Sequence, residues 1–142
     1  MDMRIRLGGG KKVDAEFGAF VLRTDQPKQY GGEDSAPSPF DLFLASIGTC
    51  AGYFIQNYCR SRGLSTAGVE IVQQMDWDPA RHLVTKVRLA IQVPESFPEP
   101  YRASLVSAVN LCTVKKHLKN PPEIEAATVV ASLTEAPVAA AL

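Results

Sequence analysis

Cysteine is the residue of this 142-residue chain best suited to covalent chemistry, and two of its three cysteines stand where a purely structural thiol would be wasted. Cys50 lies in the apolar run Ser38–Tyr53, and Cys112 lies in Leu111-Cys-Thr-Val-Lys-Lys-His-Leu118, where a helical pattern meets a basic cluster. Two thiols far apart in sequence, each on an expected helix, suggest a reversible pair rather than a scaffold staple. Lys115, Lys116 and His117 follow Cys112 closely, and positive charge stabilises thiolate, the form that attacks peroxides and disulfides. The competing reading is core packing, because free cysteine is among the most buried residue types. For Cys50 spacing alone favours core, and for Cys112 the two readings stand level. Cys59, beside Arg60 and Arg62, is ~13.5 Å from Cys50 along a straight helix, beyond the ~7 Å Cα limit for a disulfide. Within one subunit only Cys112 could meet Cys50.

Other constellations are weaker. His82 and His117 complete neither a C-x-x-C nor a paired-histidine pattern, so no metal site is expected. Gly8-Gly-Gly10 lacks the G-K-[ST] and helix start of a phosphate loop and reads as a turn. A Cys–His hydrolase using His82 or His117 lacks an evident third residue to orient the base.

The elements that must position these thiols form an α+β pattern in one domain spanning 1–142. Residues 1–37 read as N-terminal strands (Met3–Leu7, Lys12–Phe17, Ala19–Thr24) followed by a long loop, Asp25–Pro37, rich in Gly, Pro and acids. Loops of that length in compact domains are usually functional or mobile. A central helix is predicted over 38–63. Ser38 suits the N-cap, Pro39 the first helical position and Asp41 the first turn, while Gly63 suits the stop. Phe43, Ile47, Cys50, Phe54 and Tyr58 recur on one face. The helix is apolar nearly all round, which predicts burial on most sides. Gly48 and Gly52, four apart, let another backbone approach: either the chain's own sheet or a second copy of the helix across a two-fold axis.

A hairpin follows over 67–93, turning at Asp78–Arg81, and helices follow over 100–119. Tyr101, Leu105, Ala108 and Val109 form the stripe of the first helix, and Thr113 is the expected cap of the second. A final strand is expected over 123–133. The order lacks the βαβα repetition of a doubly wound sheet.

Bulk properties narrow the partners. Lys+Arg and Asp+Glu both number 15, so no net charge draws the chain to nucleic acid or an anionic membrane. Charges within the first six residues argue against a signal peptide, and no run reaches the ~20 apolar residues of a membrane span. The expectation is a cytoplasmic protein, where disulfides are usually transient and catalytic or redox-sensing.

The stretch Gly31-Gly-Glu-Asp-Ser-Ala-Pro-Ser-Pro-Phe-Asp-Leu-Phe-Leu-Ala-Ser-Ile-Gly-Thr-Cys50 resembles the signature of the OsmC/Ohr family, in which a Gly-rich loop and an [SN]-P motif lead into the helix of the first cysteine. Leu111–Leu118 resembles that family's second-cysteine motif. The resemblance implies antiparallel sheets around a long central helix, an intertwined homodimer with active sites at the subunit interface, and cofactor-free, thiol-dependent reduction of organic hydroperoxides or hydrogen peroxide. Carried over, Cys50 is the peroxidatic nucleophile, oxidised to a sulfenic acid. Cys112 is the resolving thiol, and a cellular dithiol reduces the resulting disulfide. The family's catalytic Arg comes from the N-terminal strands, where Arg23 is the candidate, with Arg4 and Arg6 behind it. Its acid follows the motif proline; here that position is Phe40, and the nearest carboxylate is Asp41. The alternative implied by this departure is an OsmC-like protein that binds small molecules or senses redox state without catalysis.

Overall fold

The computed structural model describes residues 2–130. Its architecture is α+β: a three-stranded antiparallel sheet, a long helix, a β-hairpin and two further helices in chain order.

The N-terminal sheet is a meander of β1 (Arg4–Leu7), β2 (Val13–Phe17) and β3 (Phe20–Thr24). Its register pairs Ile5 with Ala15 and Ala15 with Leu22, and Leu7 with Val13 and Val13 with Thr24. Side chains alternate across a sheet, so these residues share one apolar face with Phe17 and Phe20. Arg4, Arg6, Asp14, Glu16 and Arg23 occupy the other. Within the single chain Thr24 is the only buried residue of this sheet, and Leu7 and Phe20 are 85% and 68% exposed. Three short strands need a covered hydrophobic face to be stable, and among the described residues this face is left largely uncovered.

The loop after β3 is built around Asp25, which is only 1% exposed. Its carboxylate accepts from Ser35 Oγ at 2.7 Å, Ser35 N at 3.1 Å, Gln26 N at 2.8 Å and Glu33 N at 3.1 Å. The Asp25 side chain thus fastens the loop along its length. Gly32 lies so close to the Gln26 carbonyl that any side chain there would overlap it, and Lys12 Nζ adds a 2.6 Å tie to Glu33.

Helix α1 (Pro39–Arg60) follows with a complete capping box: Asp41 N donates to Ser38 Oγ at 3.2 Å, and Ser38 N donates to Asp41 Oδ2 at 3.0 Å. Beyond Arg60, Gly63 takes φ +65° and Leu64 N returns to Cys59 O at 2.9 Å, closing the helix. The buried stripe is Leu44, Ile47, Ala51, Ile55 and Cys59. The expected stripe of Phe43, Ile47, Cys50, Phe54 and Tyr58 is therefore rotated by about one residue, ~100°. A helix apolar on nearly every side carries more than one stripe, and spacing alone does not choose which one faces the core.

Strands β4 (Glu70–Asp78) and β5 (Leu83–Gln92) form the hairpin, with a register shift at Asp76/Trp77. Helix α2 (Glu99–Val109) and helix α3 (Thr113–Lys119) complete the described elements. The core joins Ala51, Ile55 and Cys59 of α1 to Phe97, Leu105 and Val109, with Ile71, Leu89 and Ile91 of the hairpin packed on it. Gly48 and Gly52 face β4 of the same chain, where added side chains would meet Gln73 and Ile71. Close approach to the chain's own sheet accounts for Gly48, where a Cβ would overlap the Gln73 side chain, whereas at Gly52 a Cβ would make only ordinary contact with Ile71.

Residues 121–130 carry no strand, contrary to the strand expected over 123–133; residues 131–133 lie outside the described residues. The alternation of apolar residues is present, but Ile124 and Val130 are 89% and 99% exposed. A strand forms only against a partner edge, and residues 121–130 pair with none among the described residues.

The Ser35 hydroxyl and amide, with the Gln26 and Glu33 amides, outweigh burial and hold the Asp25 carboxyl at about 2, below its ordinary 3.8. A depressed folded pKa adds stability that is complete above the ordinary value and is lost as pH falls through the folded value. Asp25→Asn is expected to lower the urea midpoint at neutral pH and to flatten the loss of stability between pH 3.8 and about 2. An unchanged acid limb in urea titrations across that range would contradict this account of the loop.

Candidate active site

Helix α3 packs on α1, and its first turn meets α1 at Cys50. The chain leaves α2 through a tight turn, with Leu111 N bonded to Ala108 O at 3.0 Å and Cys112 N to Val109 O at 3.2 Å. Cys112 then serves as the N-cap of α3: its Sγ accepts from Lys115 N at 3.5 Å. Sequence reasoning gave this role to Thr113, since threonine is a favoured cap and cysteine is not. The structure moves the cap one residue earlier. The thiol takes the place a serine hydroxyl would fill; the N–H groups of Thr113 and Val114 act on Cys50, and that of Val114 acts on Cys112 as well.

Cys50 and Cys112 are neighbours, close enough that each shifts the other's ionisation. Hydrogen bonding from the Cys112 thiol and from the N–H groups of Val114 and Thr113 eases ionisation of Cys50. Burial is the largest single influence on Cys50 and pushes its thiol up, but these three bonds together outweigh it, so Cys50 is held below the ordinary thiol range. Cys112 goes the other way. Burial, and then the bond it donates to Cys50, push its thiol up, with partial offset from the Lys115 and Val114 N–H groups. Cys50 is partly exposed and Cys112 is 1% exposed. The two shifts run in opposite directions: ionisation is eased at the accessible sulfur and opposed at the buried one. An oxidant meeting Cys50 would leave an electrophilic sulfur already beside a second thiol.

The basic cluster contributes differently from its sequence reading. Lys115 Nζ bonds Asn110 Oδ1 at 2.6 Å, and His117 Nδ1 contacts Thr113 O at 2.9 Å. No lysine or histidine side chain acts on either sulfur; the backbone of α3 does. A residue pattern scanned for charge misses this. Reading Cys112 as a serine-like cap would have found it.

The remaining candidates lie elsewhere in the single chain. Arg23 sits on the charged face of the N-terminal sheet, opposite Asp14, and is exposed. It is not among the groups acting on the Cys50 sulfur. Asp41 is engaged at the start of α1, where its Oδ2 also accepts from Ser38 Oγ at 2.7 Å. Phe40 stacks on Phe43 at 5.7 Å with both rings partly exposed. Cys59 is fully buried in the core, and burial pushes its thiol up against the pull of Arg62. Among the described residues no cluster of three metal-ligating side chains comes together, and none of the described helices is long and apolar enough to cross a membrane.

A groove of about 470 Å³ runs between α1 and β4, lined by Asp41, Leu44, Gly48, Gln73 and Met75 among others. Gly48 and Cys50 are separated by ~200° around the helix, so this groove opens on the side away from the thiols. Gln73 spans its floor: Nε2 donates to Leu44 O at 3.0 Å, while Oε1 is buried without a partner among the described residues.

Comparison with known proteins places these features in context. The family model described as OsmC-like protein matches residues 32–127, a span that includes the loop after Gly31, α1, the hairpin and both thiols. Among solved structures, the chain is similar to an osmotic stress induced and detoxification response protein from Psychrobacter arcticus, at 24% identity and TM-score 0.66 over 80% of this chain and 85% of that one. It is similar to an organic hydroperoxide resistance protein OsmC from Legionella pneumophila, at 19% identity and TM-score 0.55 over 84% and 90% of the two chains. It also matches an organic hydroperoxide resistance protein from Vibrio cholerae with captopril bound in one of its active sites, at 17% identity and TM-score 0.55 over 85% and 86%. Among curated proteins nothing matches the chain.

Thr113→Pro tests the role of the α3 backbone. Proline is accepted at the first helical position, and Cys112 already has the extended ψ of 125° that a following proline requires. The substitution therefore deletes one N–H aimed at Cys50 and keeps the helix. A hydrogen bond to a charged group is worth about 1.5 kcal/mol, roughly one pKa unit. The thiolate fraction then falls ~10-fold while intrinsic nucleophilicity rises ~3-fold. Iodoacetamide alkylation of Cys50 at neutral pH is expected to slow about threefold, read by mass spectrometry; an unchanged rate with intact helicity contradicts the assignment.

Proposed function

The chain belongs to the OsmC-like protein family, and from that premise we propose that it is a thiol-dependent peroxidase, reducing organic hydroperoxides or hydrogen peroxide through a reversible Cys50–Cys112 disulfide. The observation that carries this reading is the pairing of a partly exposed Cys50, whose ionisation is eased, with a buried Cys112, whose ionisation is opposed.

The reaction closes in three steps. Cys50 thiolate attacks the outer peroxide oxygen, the O–O bond breaks, and the alkoxide leaves as an alcohol after taking a proton from solvent. Cys50 is now a sulfenic acid. Cys112 loses its proton and attacks the Cys50 sulfur, forming the S–S bond and releasing water. A dithiol of a reducing compartment such as the cytoplasm then supplies two electrons and two protons, restoring both thiols and becoming a disulfide itself.

The same reading takes the protein to be a homodimer. The uncovered apolar face of the N-terminal sheet, the exposed Phe43 and Tyr53 of α1 and the groove beside β4 are surfaces that a second copy would cover. In such an assembly Arg23 or Asp41 would reach a thiol only across the subunit boundary. The named neighbours from Legionella pneumophila and Vibrio cholerae support the choice of organic hydroperoxides.

One observation favours a second reading. Phe40 stands where peroxidases of this family carry an acid, and Asp41 is spent on the helix cap. A protein that keeps the thiol pair as a redox sensor, with slow turnover, fits that departure. Mass spectrometry after one equivalent of cumene hydroperoxide decides between them. The peroxidase reading expects a Cys50–Cys112 disulfide within seconds, absent in Cys50→Ser and replaced by a Cys50 sulfenic acid in Cys112→Ser, with multiple turnovers when dithiothreitol is added. A single slow oxidation favours the sensor, and oxidation confined to Cys59 contradicts both.

A further inference from the structure

Reduction of the disulfide is the half-reaction in which the two sulfurs are chemically least distinguishable, because an incoming thiolate can attack either. The two positions differ sharply in access. Cys112 is 1% exposed. It sits between the end of α2, with Ala108 and Val109 buried beside it, and the start of α3, where the Lys115 N–H lies 3.5 Å from its sulfur. Cys50 is partly exposed.

We propose that the reducing thiol attacks Cys50 Sγ, so that Cys50 carries the mixed disulfide and Cys112 departs as the leaving group. This deepens the thiol-pair reading above and requires only that the Cys50–Cys112 disulfide can exist. In the step, the incoming sulfur forms a bond to Cys50 Sγ and the S–S bond breaks with its electron pair going to Cys112 Sγ. The Cys112 thiolate takes a proton from water, and the second thiol of the reductant displaces Cys50 thiolate to leave a reductant disulfide.

Two effects compete. The lower-pKa thiol leaves more readily, which by itself would direct attack to Cys112 and expel Cys50. That preference is worth only about threefold per pKa unit. Burial opposes it by closing the path to the sulfur altogether, and access is the larger effect. The departing Cys112 thiolate is also met by donors already in place, the N–H groups of Lys115 and Val114 in the first turn of α3. The cap that this thiol provides in the reduced state becomes its stabilisation as a leaving group.

The test uses the full-length protein oxidised with diamide, so that the disulfide is formed whether or not a hydroperoxide can form it. Sodium sulfite is the probe: this small sulfur anion cleaves a disulfide and leaves a stable S-sulfonate on the sulfur it attacked, freeing the other as a thiol. After a brief reaction, acid quench and fragment-ion mapping, S-sulfonate is expected on Cys50 in at least about tenfold excess over Cys112, as access dictates. Label on Cys112, equal label on both, or a disulfide inert to sulfite while remaining reducible after unfolding would each overturn the proposal. Failure of cumene hydroperoxide to generate the disulfide would instead overturn the peroxidase reading and leave this result standing.

Discussion

The contact between the start of α3 and the middle of α1 governs the state of both sulfurs. Cys50 on its own helix would be a half-buried thiol whose ionisation burial opposes. Its ionisation is eased instead because Cys112 and the amides of Thr113 and Val114 act on it together. That convergence requires α3 to begin at Cys112, which in turn requires the tight exit from α2. The rest of the fold keeps this geometry in place: α1 is anchored through Leu44, Ile47, Ala51, Ile55 and Cys59, α2 through Leu105, Ala108 and Val109, and the hairpin closes the other side. A truncation of Leu105, 1% exposed at the centre of this packing, would be felt at the thiols as well as in stability, at a cost of about 2–5 kcal/mol.

The sequence announced α1 clearly because its signals are local. Ser38, Pro39 and Asp41 satisfy the first-turn amides whatever the rest of the chain does, and Gly63 accepts the positive φ that ends the helix. Signals that depend on tertiary partners were read less well. Which apolar stripe of α1 is buried depends on what packs there, so Cys50 was assigned to the same stripe as the core and is in fact turned toward α3. The same holds for residues 123–130: alternation at Ile124 and Val130 marks a segment able to pair, and pairing needs an edge that the described residues do not offer it. Asp25 is one acid among several in its loop, and a carboxylate that collects backbone amides has no periodicity to betray it.

The thiols themselves are legible through a motif, and the physical cause of their shifted ionisation is not. The lysines and histidine after Cys112 drew the eye as the source of thiolate stabilisation, yet their side chains bond Asn110 and Thr113. The stabilising donors are backbone amides, which every residue carries and no composition count detects. This also bears on Phe40. A site whose first sulfur is held by amides and by the second thiol depends less on a neighbouring carboxylate, and the carboxylate that remains, Asp41, serves the helix instead. Meanwhile the N-terminal sheet, apolar on one face and buried almost nowhere, is a half-built layer whose stability depends on a second surface.

The central claim is that Cys50 is the thiolate of the pair and that Cys112 makes it so. Ultraviolet titration of thiolate absorbance in the wild type, Cys50→Ser and Cys112→Ala proteins tests it most directly. The account predicts that the first thiol to ionise is absent in Cys50→Ser, lies below the ordinary thiol range in the wild type, and moves upward in Cys112→Ala. A Cys50 that ionises at or above the ordinary range, or that is indifferent to the loss of Cys112, would contradict it.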